Sequence, residues 1–217
     1  MNLKIANGKK QLYLTSSKID GLLALLPRSP QKTRLAFIPT AADPYEDKWF
    51  MEADRKKLGD LGFQMREVDL KNINKEELRK KLRGVDAVYI AGGNTFYLLE
   101  KVQQSGFDEV IKELVEKGVV YAGSSAGAVI AGPTIEPVSV FDDRRAAPSL
   151  TSMEGLKLVD FIVLPHYQTD GEHKVQHENV IATWSKKGYT IVPITNDQAI
   201  RVTGNEHTVI NLSHSKE

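Results

Sequence analysis

The sequence predicts an α/β fold in three layers, a mostly parallel sheet flanked by helices, and three observations carry that expectation. Short β-rich apolar runs alternate with charged amphipathic segments along the chain, the order that places helices on both faces of a parallel sheet. No Pro/Gly/Ser-rich linker, internal repeat or low-complexity run breaks the alternation, so residues 1–217 read as a single domain. The 217 residues are 41% hydrophobic and 26% charged, the usage of a soluble globular chain that buries a substantial core rather than of a disordered or membrane protein.

The expected strands are Gln11–Thr15, Arg34–Pro39, Gln64–Leu70, Val85–Ile90, Val119–Ala122, Phe161–Leu164 and Thr190–Ile194. Between them the charged segments predict helices over Lys18–Leu26, Tyr45–Leu61, Lys75–Leu82, Thr95–Gln103, Phe107–Lys117, Ala126–Ala131 and Lys174–Lys186. A terminal hairpin is expected from Gln198–Thr203 and Thr208–Leu212, turning at Gly204-Asn205. The least regular stretch, Gly132–Leu158, holds Pro133, Pro137, Pro148 and the charged quartet Asp142-Asp143-Arg144-Arg145. A long loop of that kind inside a compact domain is usually functional or mobile.

Charge and cysteine content narrow the function classes. Lys+Arg number 29 against 28 Asp+Glu, a formal net charge of +1, which argues against a nucleic-acid partner held by the whole surface. Cysteine is absent, which excludes a disulfide framework, a Cys-ligated zinc or iron-sulfur site and a thiolate nucleophile. Residues Met1–Lys10 are polar, and the apolar stretch Gly21–Pro27 is too short to span a bilayer, so the expectation is a cytoplasmic protein with no membrane partner.

The chemistry concentrates at strand C-termini, where open parallel sheets place their ligand sites. Gly123-Ser124-Ser125-Ala126-Gly127 fits G-x-S-x-G, the nucleophile elbow, with an apolar run before it and a small-residue helix after it. That composition has a physical reason: the serine sits on a strained strand-to-helix turn, so its neighbours must be nearly free of side chains for the backbones to approach. Ser125 is then the candidate nucleophile and the Ala126 N–H a candidate oxyanion donor at a helix N-terminus. The plainer alternative is a tight glycine turn with N-capping serines.

A second glycine turn, Gly92-Gly93-Asn94, ends the run before Thr95 and makes the Gly93 N–H a candidate second oxyanion donor. Taken alone it reads as a strand-end turn followed by an Asn or Thr N-cap. It lacks the G-x-G-x-x-G spacing of a dinucleotide site. His166 follows the run Phe161–Pro165, so it projects at the same sheet edge as Ser125 and is the candidate base. His173 and His177 stand four residues apart on a candidate helix, but H-E-x-x-H is absent and a third ligand must come from a residue such as Asp170. A solvated helix face or a substrate contact is therefore expected there, with no metal. His207 and His214, in the hairpin and tail, read as surface residues.

Gly92-Gly93-Asn94-Thr95-Phe96, Gly123-Ser124-Ser125-Ala126-Gly127-Ala128 and Pro165-His166-Tyr167, in this order on an alternating α/β chain, resemble the aspartyl dipeptidase (peptidase E) family of serine peptidases, which includes the cyanophycinases. The resemblance runs from the first strand to Val202, and Pro133-Thr134-Ile135 after the elbow adds to it. It implies a fold similar to class I glutamine amidotransferases with serine in place of cysteine. It also implies hydrolysis of short peptides, typically with an N-terminal aspartate, or of aspartyl linkages, without metal or cofactor.

Carried over residue by residue, the resemblance makes Ser125 the nucleophile, His166 the base, and Gly93 and Ala126 the oxyanion donors. For the third member it offers two places. An acidic residue between serine and histidine matches Asp143 best, or its neighbour Asp142; the quartet around them also reads as a self-neutralising surface cluster. A glutamate on the strand-end loop after the histidine aligns with Asn196, with Asp197 one residue on. Asn can orient a neutral imidazole without stabilising imidazolium by charge. Asn94 and His177 are the expected substrate contacts. His177 is the nearest match to the arginine that holds the substrate carboxylate in the dipeptidases, and histidine offers one titrating contact where arginine offers a charged fork.

The expected reaction is acyl transfer from a short peptide through Ser125, in a monomer or homodimer. A small serine esterase shares G-x-S-x-G but usually takes its histidine late, near His207. A binding or regulatory protein on a degenerate scaffold is the remaining alternative.

Overall fold

A computed structural model describes residues 9–212, the Glu172 side chain excepted; the expectation for His214 lies outside the described residues. A seven-stranded sheet runs in the order β3-β2-β4-β5-β1-β8-β9. Its strands are β1 (Gln11–Thr15), β2 (Arg34–Ile38), β3 (Gln64–Glu67), β4 (Ala87–Ile90), β5 (Val120–Ser124), β8 (Gln198–Thr203) and β9 (Glu206–Asn211). Pairing is parallel from β3 through β1 and antiparallel along β1, β8 and β9. β6 (Phe161–Leu164) and β7 (Thr190–Pro193) form a separate parallel pair. Both were expected as ordinary strands, and their separation depends on contacts that no local pattern carries.

Alternation along the central strands builds two cores. Leu12 and Leu14 of β1, Ala36 and Ile38 of β2, Val88 and Ile90 of β4 and Tyr121 of β5 enter one hydrophobic cluster. Tyr13, Leu35, Phe37, Ala87, Tyr89, Val120 and Ala122 enter the other. Successive side chains on a strand point to opposite faces, so strands buried on both sides read as continuous apolar runs. The first cluster is closed by helices α2 (Lys75–Lys81), α3 (Thr95–Ser105), α4 (Phe107–Glu116) and α5 (Ala126–Val129), the second by α1 (Trp49–Asp60) and a 3-10 turn at Asp20–Leu25. The result is a three-layer α/β molecule.

Some boundaries differ from the sequence expectation. The helix expected over Tyr45–Leu61 starts at Trp49, where Asp47 Oδ1 accepts the Trp49 N–H at 3.0 Å. The helix expected over Lys18–Leu26 is the 3-10 turn, closing before Pro27 in a segment too short to propagate an α-helix. The irregular stretch between α5 and β6 contains 3-10 turns at Glu136–Val140 and Arg144–Ala146. Helix α3 holds it down: Glu100 accepts the Ser149 N–H at 2.6 Å, and Gln103 donates to the Ser152 carbonyl at 2.8 Å. No helix among the described residues is long and apolar enough to cross a membrane.

Candidate active site

Ser125 stands between β5 and α5 with φ 48° and ψ −111°, a conformation that reverses the chain within one residue. The reversal needs its flanking glycines. A Cβ on Gly123 would lie 2.2 Å from the Gly127 carbonyl oxygen, and one on Gly127 would lie 2.3 Å from that of Ile90. The Ser125 N–H donates to the Thr15 carbonyl at 2.9 Å, tying the turn to the end of β1. Strain of this kind persists only where the surroundings over-determine it, and it aims the hydroxyl out of the sheet edge.

His166 follows β6 at positive φ, 59°, and brings Nε2 to 2.9 Å from Ser125 Oγ. Its Nδ1 lies 2.7 Å from Asn196 Oδ1, on the loop after β7. Ser16, just past β1, fixes this arrangement. Its hydroxyl donates to Asn196 Oδ1 at 3.1 Å, accepts the His166 backbone N–H at 2.8 Å, and lies 3.2 Å from Nδ1. Ser17 Oγ donates to the Asn196 carbonyl at 3.0 Å. With Asn196 Oδ1 acting as acceptor, the imidazole proton belongs on Nδ1, which leaves the Nε2 lone pair for the Ser125 hydroxyl. Ser16 was not visible as a site residue in the sequence; its only signal is its position at a strand C-terminus beside the elbow strand.

The acidic candidates separate. Asp142 is half-buried and lines the cleft beside Ser125 and His166, its Oδ2 accepting the Thr95 N–H at 2.9 Å at the start of α3. Burial raises its carboxyl above the usual range, opposed by the bond from Thr95 and the nearby His166. Asp143 turns the other way. Its exposed carboxylate receives Nε (3.0 Å) and Nη2 (2.9 Å) of Arg145, which hold it below the usual range. The structure thus gives His166 Nδ1 to Asn196, and Asp143 to Arg145, because the chain reverses into a 3-10 turn at that residue. Asp197, the neighbour of Asn196, pairs with Lys18 at 2.5 Å.

Gly93 lies at the turn from β4 into α3, packed so closely that a Cβ would meet the Ala41 carbonyl oxygen at 2.1 Å. Its neighbour Gly92 faces Ser125, where a Cβ would lie 3.0 Å from the serine Cβ. Ala126 is the first residue of α5, so its N–H has no partner within the helix. Asn94 is buried and spends its side chain on structure: Oδ1 caps α3 by accepting the Tyr97 N–H at 2.9 Å, and Nδ2 donates to the Asp143 carbonyl at 2.9 Å.

His177, on α6 (Gly171–Lys186), is only 4% exposed, in contrast to the solvated helix face expected as one alternative. It stacks on Phe141 with ring centroids 4.7 Å apart and meets the Tyr167 ring edge-on at 5.7 Å. His207 packs on Phe161, and it is His166 that reaches Ser125. Among the described residues no three His, Asp or Glu side chains group as a metal-binding cluster. The cleft at Ser125 has a volume of about 230 Å³. The arrangement can move a proton from Ser125 through a tautomer-fixed imidazole, which is what acyl transfer to a hydroxyl requires.

Comparison with known proteins identifies the family. Residues 4–210 match peptidase family S51. An uncharacterized peptidase of Listeria monocytogenes is 36% identical over 94% of this chain and 100% of its own length. Peptidase E of a Nostoc species is 32% identical over 74% of this chain and 61% of its own. The crystal structure of a peptidase E candidate from Listeria monocytogenes superposes with a TM-score of 0.84 at 36% identity, covering 94% of this chain and 100% of that one.

Proposed function

The chain belongs to peptidase family S51 and is a peptidase of the serine type, and on that premise we propose that it hydrolyses short peptides through an acyl-enzyme on Ser125. The observation that carries the proposal is the continuous path from Ser125 Oγ through His166 (2.9 Å) to Asn196 (2.7 Å). As Oγ attacks the scissile carbonyl, His166 Nε2 takes its proton. Asn196 keeps the imidazole oriented from behind, and Ser16 keeps Asn196 and the His166 backbone in register. The N–H groups of Gly93 and Ala126 receive the oxyanion, each supplying about 3–4 kcal/mol to the transition state. His166 then returns the proton to the leaving amine, and water repeats the cycle on the acyl-enzyme.

Incubation with a pooled dipeptide library and with a fluorophosphonate probe tests this reading. Wild type is expected to release amino acids and to be labelled at Ser125. Ser125→Ala is expected to lose at least roughly 10³-fold in turnover while keeping its melting temperature. Full activity in that variant sinks the mechanism. Absence of both cleavage and labelling in wild type favours a binding protein on the same scaffold.

A further inference from the structure

The cleft beside Ser125 has a chemical character that the catalytic residues do not explain. Its walls are apolar and aromatic: Val129 from α5, Val138 and Phe141 from the loop after it, and Leu164 from β6, with buried His177 stacked on Phe141. No lysine or arginine lines it among the described residues; its titratable side chains are Asp142 and the imidazoles of His166, His173 and His177. At about 230 Å³ it is smaller than the roughly 300–1,000 Å³ typical of small-molecule pockets, a size suited to one side chain.

The wall is built rather than accidental. Phe141 and Asp142 both donate their backbone N–H to the Val138 carbonyl, at 2.9 and 3.0 Å. Gln176 of α6 donates to the Val140 carbonyl at 3.2 Å, joining the loop to the helix that carries His177.

Resting on the assignment of Ser125 as nucleophile, we propose that this cleft receives the substrate side chain on the acyl side of the scissile bond and takes a neutral aromatic or apolar one in preference to an acidic one. Phe141 determines the preference through the polarisable ring it presents to the cleft, backed by the His177 imidazole stacked against it. Asp142 turns acidic side chains away. A second carboxylate in the same partly desolvated cleft meets no lysine or arginine to pair with, and two carboxylates sharing one site do not both ionise cheaply.

Dipeptides Phe-Leu, Leu-Leu, Ala-Leu and Asp-Leu, with released leucine quantified, test the proposal. Wild type is expected to favour Phe-Leu over Asp-Leu by roughly 10²-fold in kcat/KM. Phe141→Ala is expected to lower kcat/KM for Phe-Leu about tenfold, mainly through KM, and to change Ala-Leu little. Asp142→Asn is expected to shrink the Phe-Leu to Asp-Leu ratio by about tenfold. Because both substrates carry the same ammonium group, that ratio is unaffected by any contact Asp142 makes with it. A wild-type preference for Asp-Leu, or ratios unmoved by both variants, overturns the specificity while leaving the serine mechanism intact. Failure of Ser125 to react with a fluorophosphonate, together with no cleavage of any of the four, removes the mechanism and the specificity with it.

Discussion

Asn196 accepts at the position where a carboxylate would more usually stand behind a catalytic histidine. An amide oxygen 2.7 Å from Nδ1 fixes the tautomer and the ring plane, but it adds no charge to stabilise the imidazolium of the mechanism we propose for Ser125. Two substitutions separate these contributions. Asn196→Ala is expected to lower kcat roughly 10²-fold with KM little changed, since only the imidazole loses its orientation. Asn196→Asp restores a charge, so the acid limb of its kcat/KM profile is expected to move to higher pH, because a neighbouring carboxylate favours the charged ring. Steady-state kinetics between pH 5 and 9 measure both, and an Asn196→Ala enzyme with wild-type kcat removes Asn196 from the proton path. Ser16 shares this work from the other side, through the His166 N–H and Asn196 Oδ1.

Helix α3 is the element that organises the loop between α5 and β6. Its N-terminus takes Asp142 at the Thr95 N–H, Asn94 holds the Asp143 carbonyl, and Glu100 and Gln103 bind the backbone further along. Glu100 is 3% exposed and also pairs with Lys101 at 2.6 Å, so its removal takes away a charge-assisted bond that holds the Ser149 backbone N–H. Glu100→Ala is expected to cost about 1.5–3 kcal/mol. It should also open the loop to limited proteolysis between residues 132 and 158; an unchanged cleavage pattern and urea midpoint contradict that anchoring. These ties explain what the sequence could and could not convey. The elbow was legible because close backbone approach at Gly123 and Gly127 demands glycine locally, and His166 was legible because a run of apolar residues ends just before it. Which acid or amide meets Nδ1 was not, since it depends on where the loops after β1, β6 and β7 converge. The division of Asp142 from Asp143 was likewise hidden, for adjacent residues in a loop carry no periodicity to say which faces inward. The detachment of β6 and β7 from the main sheet left no mark in strands that look like all the others.

Across the whole molecule, the two cores differ in one respect that bears on stability. The cluster closed by α1 faces a polar group, the Asp54 carboxyl, which accepts the hydroxyl proton of fully buried Tyr89 at 2.7 Å. Burial pushes Asp54 up to about 6, against the lowering effects of the Tyr89 bond, Lys57 and Ser124. The folded protein therefore holds a proton that the unfolded chain has released over the interval from about pH 4 to about pH 6. Wherever the folded state binds more protons, stability falls as pH rises. Asp54 thus contributes most favourably below about pH 4, and its ionisation costs about 3 kcal/mol by the time the pH has passed 6. Asp54→Asn keeps an acceptor for Tyr89 and abolishes the titration. The difference in unfolding free energy between variant and wild type, from urea melts at matched pH, is expected to grow in the variant's favour from pH 4 to pH 6.5 and then level off. Every other group titrates alike in both proteins, so a difference that stays constant across that range shows that Asp54 is as well solvated in the folded molecule as in the unfolded chain.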